Sequence, residues 1–337
     1  MKQQRPPWTD APGDAPYRTD PVPPASLAAE QAVDPAPLGL AAPAGVPGVL
    51  FHLIRAMRPH QWTKNALVFA ALVFDLKFFE TGPVASTVLA FVAFSLASSA
   101  TYLVNDIRDI ANDQAHPRKR HRPLASGVLP VSVAGGAAIV LVVASLAIAW
   151  VVRPEFAGVV VAYLLLMAAY NVGLKQLAII DVMIIAFGFV LRAAGGAVAI
   201  DVPISPWLYV CTALLSIFLG FAKRRSELAS LGGQAESHRA NLSEYTVPML
   251  DQMISMVGAS TMIAYALYTF DASSVPANYS MMLTLPFVVF SIFRYLLLIQ
   301  QNRLTGSPEL LLFRDRPLFA SIVGWGVTAV LVLYFLN

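Results

Sequence analysis

The sequence predicts an all-α, polytopic membrane bundle of about nine transmembrane helices, and three observations carry that prediction. Hydrophobic residues fill 57% of the 337 positions and charged residues only 13%. A soluble domain carries about 25% charged residues, so this chain can hide its apolar surface only in lipid. The apolar positions form runs near the roughly 20 residues that a helix needs to cross a bilayer, and they do not alternate as barrel strands would. Lys and Arg, lastly, fall on one side of the runs.

Along the chain, residues 1–48 hold 11 of the 24 prolines, with Ala, Asp and Gln between them. Proline blocks helix and sheet ladders, and few large apolar groups are there to bury. A disordered cytoplasmic tail is expected, and a cleaved signal peptide is not, because no apolar core follows a basic start. Residues 49–337 form the transmembrane domain. Residues 49–58 (VLFHLIRAMR) read as an amphipathic lead-in lying in the interface. Spans are expected near 65–80, 83–104, 131–151, 155–172, 178–200, 206–222, 248–270, 279–300 and 317–336. The first is short and would tilt or thin the bilayer.

With the N-terminus inside, the inner segments carry 19 of the 23 basic residues and the outer loops two, Lys77 and Arg153. Arg192 and Arg294 fall within spans. The chain is therefore expected in the plasma (inner) membrane, with its long polar loops at 105–130, 223–247 and 301–316 on the cytoplasmic face, where function usually sits. The single cysteine, Cys211, rules out an intrachain disulfide and a CxxC zinc cluster.

The run Asn105-Asp106-Ile107-Arg108-Asp109-Ile110-Ala111-Asn112-Asp113 closes the second expected span. Asp106, Asp109 and Asp113 fall within about 60° on a helical wheel. Carboxylates so placed repel one another unless a cation lies between them, and oxygen-only ligands suit Mg²⁺ bridging to substrate phosphates. A solvated helix end is the plainer reading. Next come Lys119, Arg120 and Arg122, within HPRKRHRPLASG. Cations beside an Asp–metal face match a diphosphate leaving group; alone they are an ordinary positive-inside loop.

These residues resemble the UbiA-type intramembrane prenyltransferase superfamily. NDxxDxxxD followed by HPxKRxRPLASG is its first signature. RPHQWTKN at 58–65 resembles its N-terminal RPxxxxxN element, and YNVGLKQLAIID at 170–181 its Tyr…Lys element. The resemblance runs from about residue 55 to the end and implies nine helices. It is nearer to the branch that transfers phosphoribosyl groups to decaprenyl phosphate in actinobacterial arabinan synthesis, through FGFVLRAAGGAVAIDVPIS at 187–205, FAKRRSEL at 221–228, HRANLSEYT at 238–246 and FRDRPL at 313–318. The second acidic motif, DxxxD, of the aromatic-substrate prenyltransferases is replaced after the sixth helix by AKRRSEL, with one acid and three cations.

The remaining candidates each have two readings. Lys175, five residues after Tyr170, holds a phosphate or anchors the topology. Lys223, Arg224 and Arg225 contact ligand or mark the inner face. Glu227 completes a metal or ribose site or pairs with a nearby Arg. His238, Arg239 and Tyr245 gain a donor-binding role only from the resemblance. Lys64 and Asn65 could reach the inner cavity. Asp181 and Arg192, eleven apart, share a face of the fifth helix, and Arg192 is functional or neutralises a buried partner.

The resemblance implies Mg²⁺-dependent transfer of 5-phosphoribosyl from 5-phosphoribosyl 1-diphosphate to decaprenyl or another polyprenyl phosphate. Asp106, Asp109 and Asp113 would be the metal and catalytic residues. Asn105, Tyr170 and the basic residues would hold substrate, and the lipid tail would lie against membrane lipid. No nucleic-acid partner is expected, and a homo-oligomer is left open. The rivals are a UbiA-type enzyme prenylating a quinone or haem precursor, and a transporter or lipid-binding protein without chemistry. A CDP-alcohol phosphotransferase is weaker, for want of a DG-centred acidic motif.

Overall fold

A computed structural model describes residues 45–116, 119–203, 205–230, 242–271, 275–301 and 314–336. The proline-rich tail, as far as residue 44, lies outside them. Helix α1 (Val46–Met57) is followed by a 3-10 segment (Pro59–Phe69), the short α2 (Ala70–Phe74), α3 (Thr81–Arg108) and α4 (Ile110–Ala115). Then come α5 (Val131–Val152), α6 (Pro154–Val172), α7 (Ile180–Ala199), α8 (Pro206–Ser230), α9 (Val247–Asp271), α10 (Leu285–Gln300) and α11 (Arg316–Phe335). Among the described residues there is no strand, and eight helices are long and apolar enough to cross a membrane. The protein is a multi-pass membrane protein.

The first expected span, 65–80, takes another form. Residues Pro59–Phe69 wind as a 3-10 helix, and the α-helical part that follows is five residues long. Leu76 turns left-handed at φ 60°. The amides of Leu76 and Lys77 bond back to Val73 and Leu72 carbonyls, at 3.3 and 3.0 Å, the pattern that closes a helix C-terminus. Asp75, Lys77 and Glu80 follow at once, so the apolar run lacks the length to continue.

Helix α1 occupies the place of the amphipathic lead-in. Ala56 is buried in a cluster with Leu103, Leu124 and Leu129, while Leu50, Phe51 and Ile54 stay exposed on the other face. The main bundle packs on small residues, as lipid-embedded helices do. Ala90, Ala93 and Ala97 of α3 are buried with Phe94, Phe156, Val160 and Tyr163. A second cluster joins Val182, Phe218, Leu250, Ile254 and Ile292 of α7 to α10.

Ion pairs fix which helix ends lie together. Lys175, after α6, meets Asp109, after α3. Arg224, near the end of α8, meets Asp181 at the start of α7, and Arg225 meets Asp251 at the start of α9. At the opposite end, Arg153 between α5 and α6 pairs with Asp201 after α7, at 2.6 Å. The described end of α3 is thus tied to the connection after α6, and that of α8 to the starts of α7 and α9.

Two glycines of α7 allow close approach in this core. A Cβ on Gly196 would lie 2.0 Å from the Val68 carbonyl oxygen, and one on Gly195 2.6 Å from the Phe94 ring. Gly196→Val is expected to cost about 1–3 kcal/mol through overpacking, read as a lower midpoint of thermal unfolding in detergent. Gly135→Val is the tolerated control, since nothing lies within 4 Å of its added Cβ.

Candidate active site

Helix α3 ends at Arg108 because Asp109 leaves helical geometry, with φ −95° and ψ 9°, and the chain resumes as α4. That step divides the acidic run. Asp106 and Asp113 are buried and accept from the same nitrogen, Arg122 Nη1, at 3.2 and 2.7 Å. Asp109 turns to Lys175 Nζ, at 2.7 and 2.8 Å, which also reaches the Asn105 amide oxygen at 3.3 Å. The expectation of one face for all three carboxylates thus holds in the structure for Asp106 and Asp113 only. Among the described residues no three acid, His or Cys side chains converge as a metal-holding set.

The loop after α4 brings Arg122 into place by burying its apolar residues. Leu124 and Leu129 insert beside Ala134 and Leu103. Gln114 of α4 donates to the Ala125 carbonyl at 3.1 Å, and Gly127 makes the turn at φ 78°. Lys119 and Arg120 lie on the neighbouring 3-10 turn; Lys119 is half-buried and Arg120 exposed.

Sequence reasoning quoted Arg58 within a motif but did not place it in the site. It caps α1 in the left-handed region at φ 56° and donates to Asp106 Oδ1 at 2.6 Å. Its guanidinium stands 5.0 Å from the centre of the Tyr102 ring. The readable signal was its position before Pro59, where the chain must leave the helix. A cavity of about 570 Å³ opens here, lined by Arg55, Arg58, His60, Asp106, His121 and Arg122 among others. Three carboxylates are thus answered by three cations, Arg58, Arg122 and Lys175, beside this hollow.

This donor set fits Mg²⁺ in its chemistry. Asp106 and Asp113 offer carboxylate oxygens with no nitrogen or sulfur ligand, and Asp109 and Asn105 pair with Lys175 beside them. A positively charged group, Arg122 Nη1, already stands between Asp106 and Asp113, so the two share one cation in this structure.

A second polar group is separate. Arg224, 2% exposed, donates to Asp181, which is fully buried, at 2.8 Å and to Glu227 on the same helix. Tyr170 lies within electrostatic reach of Arg224. Arg225 is drawn the other way, to Asp251 and to the Ile299 carbonyl at 3.0 Å. Lys223 is half-buried at the head of the run. Tyr245 is buried, and burial holds its hydroxyl above the usual phenol range. That hydroxyl accepts the Ile179 amide. Ile179 has φ 67° and ψ −51°, a strained conformation for a β-branched residue. The Leu174–Ile179 connection thus touches both groups, through Lys175 and through Ile179. His238 and Arg239 lie outside the described residues.

Asn65 does not reach the carboxylates. It is fully buried and bonds Ser95, Ser98 and Arg192. Lys64 is half-buried beside it. Asp181 and Arg192, expected on one face, serve different partners. The fifth-helix pattern showed both residues but could not show that Arg224, on the next helix, would claim Asp181.

Comparisons with known proteins agree with this architecture. The UbiA prenyltransferase family pattern matches residues 66–323. The decaprenyl-phosphate phosphoribosyltransferase of Mycobacterium tuberculosis strain H37Rv is 35% identical over 280 residues, covering 82% of this chain and 92% of that protein. The protein of the same name from Corynebacterium glutamicum is 32% identical, covering 84% and 87%. Among solved structures, a UbiA homolog from Archaeoglobus fulgidus bound to GPP and Mg²⁺ superposes with a TM-score of 0.65 at 18% identity, covering 84% of this chain and 99% of that one.

The Arg224–Asp181 pair yields a stability test. Arg224→Met should cost about 3–5 kcal/mol, because it removes the cation from a buried pair. Adding Asp181→Leu should recover most of that loss in detergent unfolding.

Proposed function

Since the chain belongs to the UbiA prenyltransferase family and is a transferase, we propose that it moves 5-phosphoribosyl from 5-phosphoribosyl 1-diphosphate to decaprenyl or a related polyprenyl phosphate, with Mg²⁺ and on the cytoplasmic face of the plasma membrane. In the reading that the sequence resemblance implies, the product supplies cell-wall arabinan synthesis. The observation that carries the proposal is the charge-matched cluster of Asp106, Asp109 and Asp113 with Arg58, Arg122 and Lys175, beside a cavity to which Arg55, Arg58 and Arg122 contribute. The names borne by relatives at 32–35% identity support the same donor and acceptor class.

The cluster is internally neutral, so a bare diphosphate gains little from entering it. Paired with Mg²⁺ it does: Asp106 and Asp113 would hold the metal, with Asp109 and Asn105 adjacent, and the displaced cations would take phosphate oxygens. When bound, the metal would neutralise charge on the departing diphosphate. Arg58, Arg122 and Lys119 would steady that leaving group. The ribose C1–O bond to diphosphate breaks, with positive charge developing at C1. The lipid phosphate forms the new C1–O bond from the opposite face and inverts the centre. It is already an anion, so no general base is required. Arg224 and Arg225 are committed to Asp181, Glu227 and Asp251. Lys175, moved off Asp109 by substrate, and Lys223 would meet the acceptor's phosphate in this reading.

The test is transfer of labelled 5-phosphoribosyl 1-diphosphate to decaprenyl phosphate by detergent-purified protein. Label in the lipid fraction that disappears with chelator is the expected result. Prenylation of an aromatic acid from a prenyl diphosphate, without phosphoribosyl transfer, would overturn the proposal. Asp113→Ala should lower turnover on the order of 10²–10³-fold, and unimpaired turnover would refute the carboxylate role.

A further inference from the structure

Arg192 lies twelve residues past the start of α7, about 18 Å along the axis, and is 6% exposed. Among the described residues its hydrogen-bond partners are all neutral. Nε donates to Asn65 Oδ1 at 2.6 Å, Nη1 to the Gly188 carbonyl at 2.8 Å and Nη2 to Tyr163 Oη at 2.9 Å. The Tyr163 and Phe189 rings face the guanidinium at 4.7 and 5.2 Å. A full charge deep in a span, met only by dipoles and π faces, is costly. Stability alone would be served as well by an apolar side chain of similar volume.

What the charge does hold is the Pro59–Phe69 segment. An eleven-residue 3-10 helix is far longer than the three or four residues usual for that form, so it needs outside support. Asn65, gripped by Arg192, donates in turn to Ser95 and Ser98 of α3 at 3.0 and 3.4 Å. Trp62 donates to Ser99 at 3.0 Å, and Ser99 Oγ lies 3.1 Å from the Met57 carbonyl. At the head of this stitched segment stands left-handed Arg58, pointing at Asp106.

We propose that Arg192 is a positioning residue for the carboxylate cluster: through Asn65 it fixes the Pro59–Phe69 segment against α3 and so sets where Arg58 meets Asp106. The activity arm of its test rests on the reading under Proposed function; the exchange arm does not. Hydrogen-exchange mass spectrometry is run on the full chain in detergent, with Arg192→Met and Asn65→Leu. Peptides covering 57–69 should exchange about 10-fold faster or more in both variants while those of α5 keep their rates. Arg192→Lys should fall between, since lysine restores charge without the planar fork. Unchanged exchange in 57–69, or equal acceleration across the bundle in both variants, would overturn the proposal. Transfer rates then give a double-mutant cycle with Arg58→Gln. Arg192→Met should cost about 10-fold in the native background and less than about 2-fold beside Arg58→Gln. Losses that simply multiply would also overturn it. Absence of transfer by the native protein would refute the proposed reaction and leave the exchange result to decide the role of Arg192.

Discussion

Charge in a dry interior must be answered by opposite charge or by aimed dipoles, because lipid supplies neither. The polar end of this bundle is built around that requirement, and it is met in three ways. Asp106, Asp109 and Asp113 are matched one for one by Arg58, Arg122 and Lys175. Arg224 is held between Asp181 and Glu227. Arg192 is solvated by an amide oxygen, a carbonyl, a phenol and two rings. In the first and third arrangements the partners come from three or more separate segments. The polar chemistry therefore also sets the tertiary structure at that end.

The geometry also relates the two charged groups to each other. Lys175 and Ile179 sit on one short connection between α6 and α7, and each is tied to a different group. The left-handed Ile179 is held by a buried phenol at its amide.

Much of the fold was legible because lipid reduces the problem to length, hydropathy and the side preference of Lys and Arg. The spans from α3 onward and the acidic run follow from those signals. The 65–80 segment did not, because an apolar run does not distinguish an α-helix from a 3-10 helix held by Ser95, Ser98 and Ser99 on a neighbour. The regular helical wheel through Asp113 failed at Asp109, where one residue leaves helical geometry and turns its carboxylate toward Lys175. Partner choice was the least legible feature. Asp181 with Arg224 and Asn65 with Arg192 are contacts between segments far apart in sequence, and no local spacing encodes them.

The chain order of these partners bears on how the protein is assembled in the membrane. A charged residue at the centre of an isolated helix costs about 2.5–3.5 kcal/mol on insertion, and α7 carries Arg192 deep within it. Among the described residues, the hydrogen-bond partners of Arg192 outside α7 are made earlier: Asn65, and Tyr163 of α6. The same is true of Val68 and Phe94, on which Gly196 and Gly195 close. The other end of α7 is different, since Asp181 and Ile179 are met by Arg224 and Tyr245, which are synthesised later. During vectorial synthesis, α7 would thus dock by its far half onto helices already waiting. Its near half would be completed only when α8 and the segment just before α9 arrive.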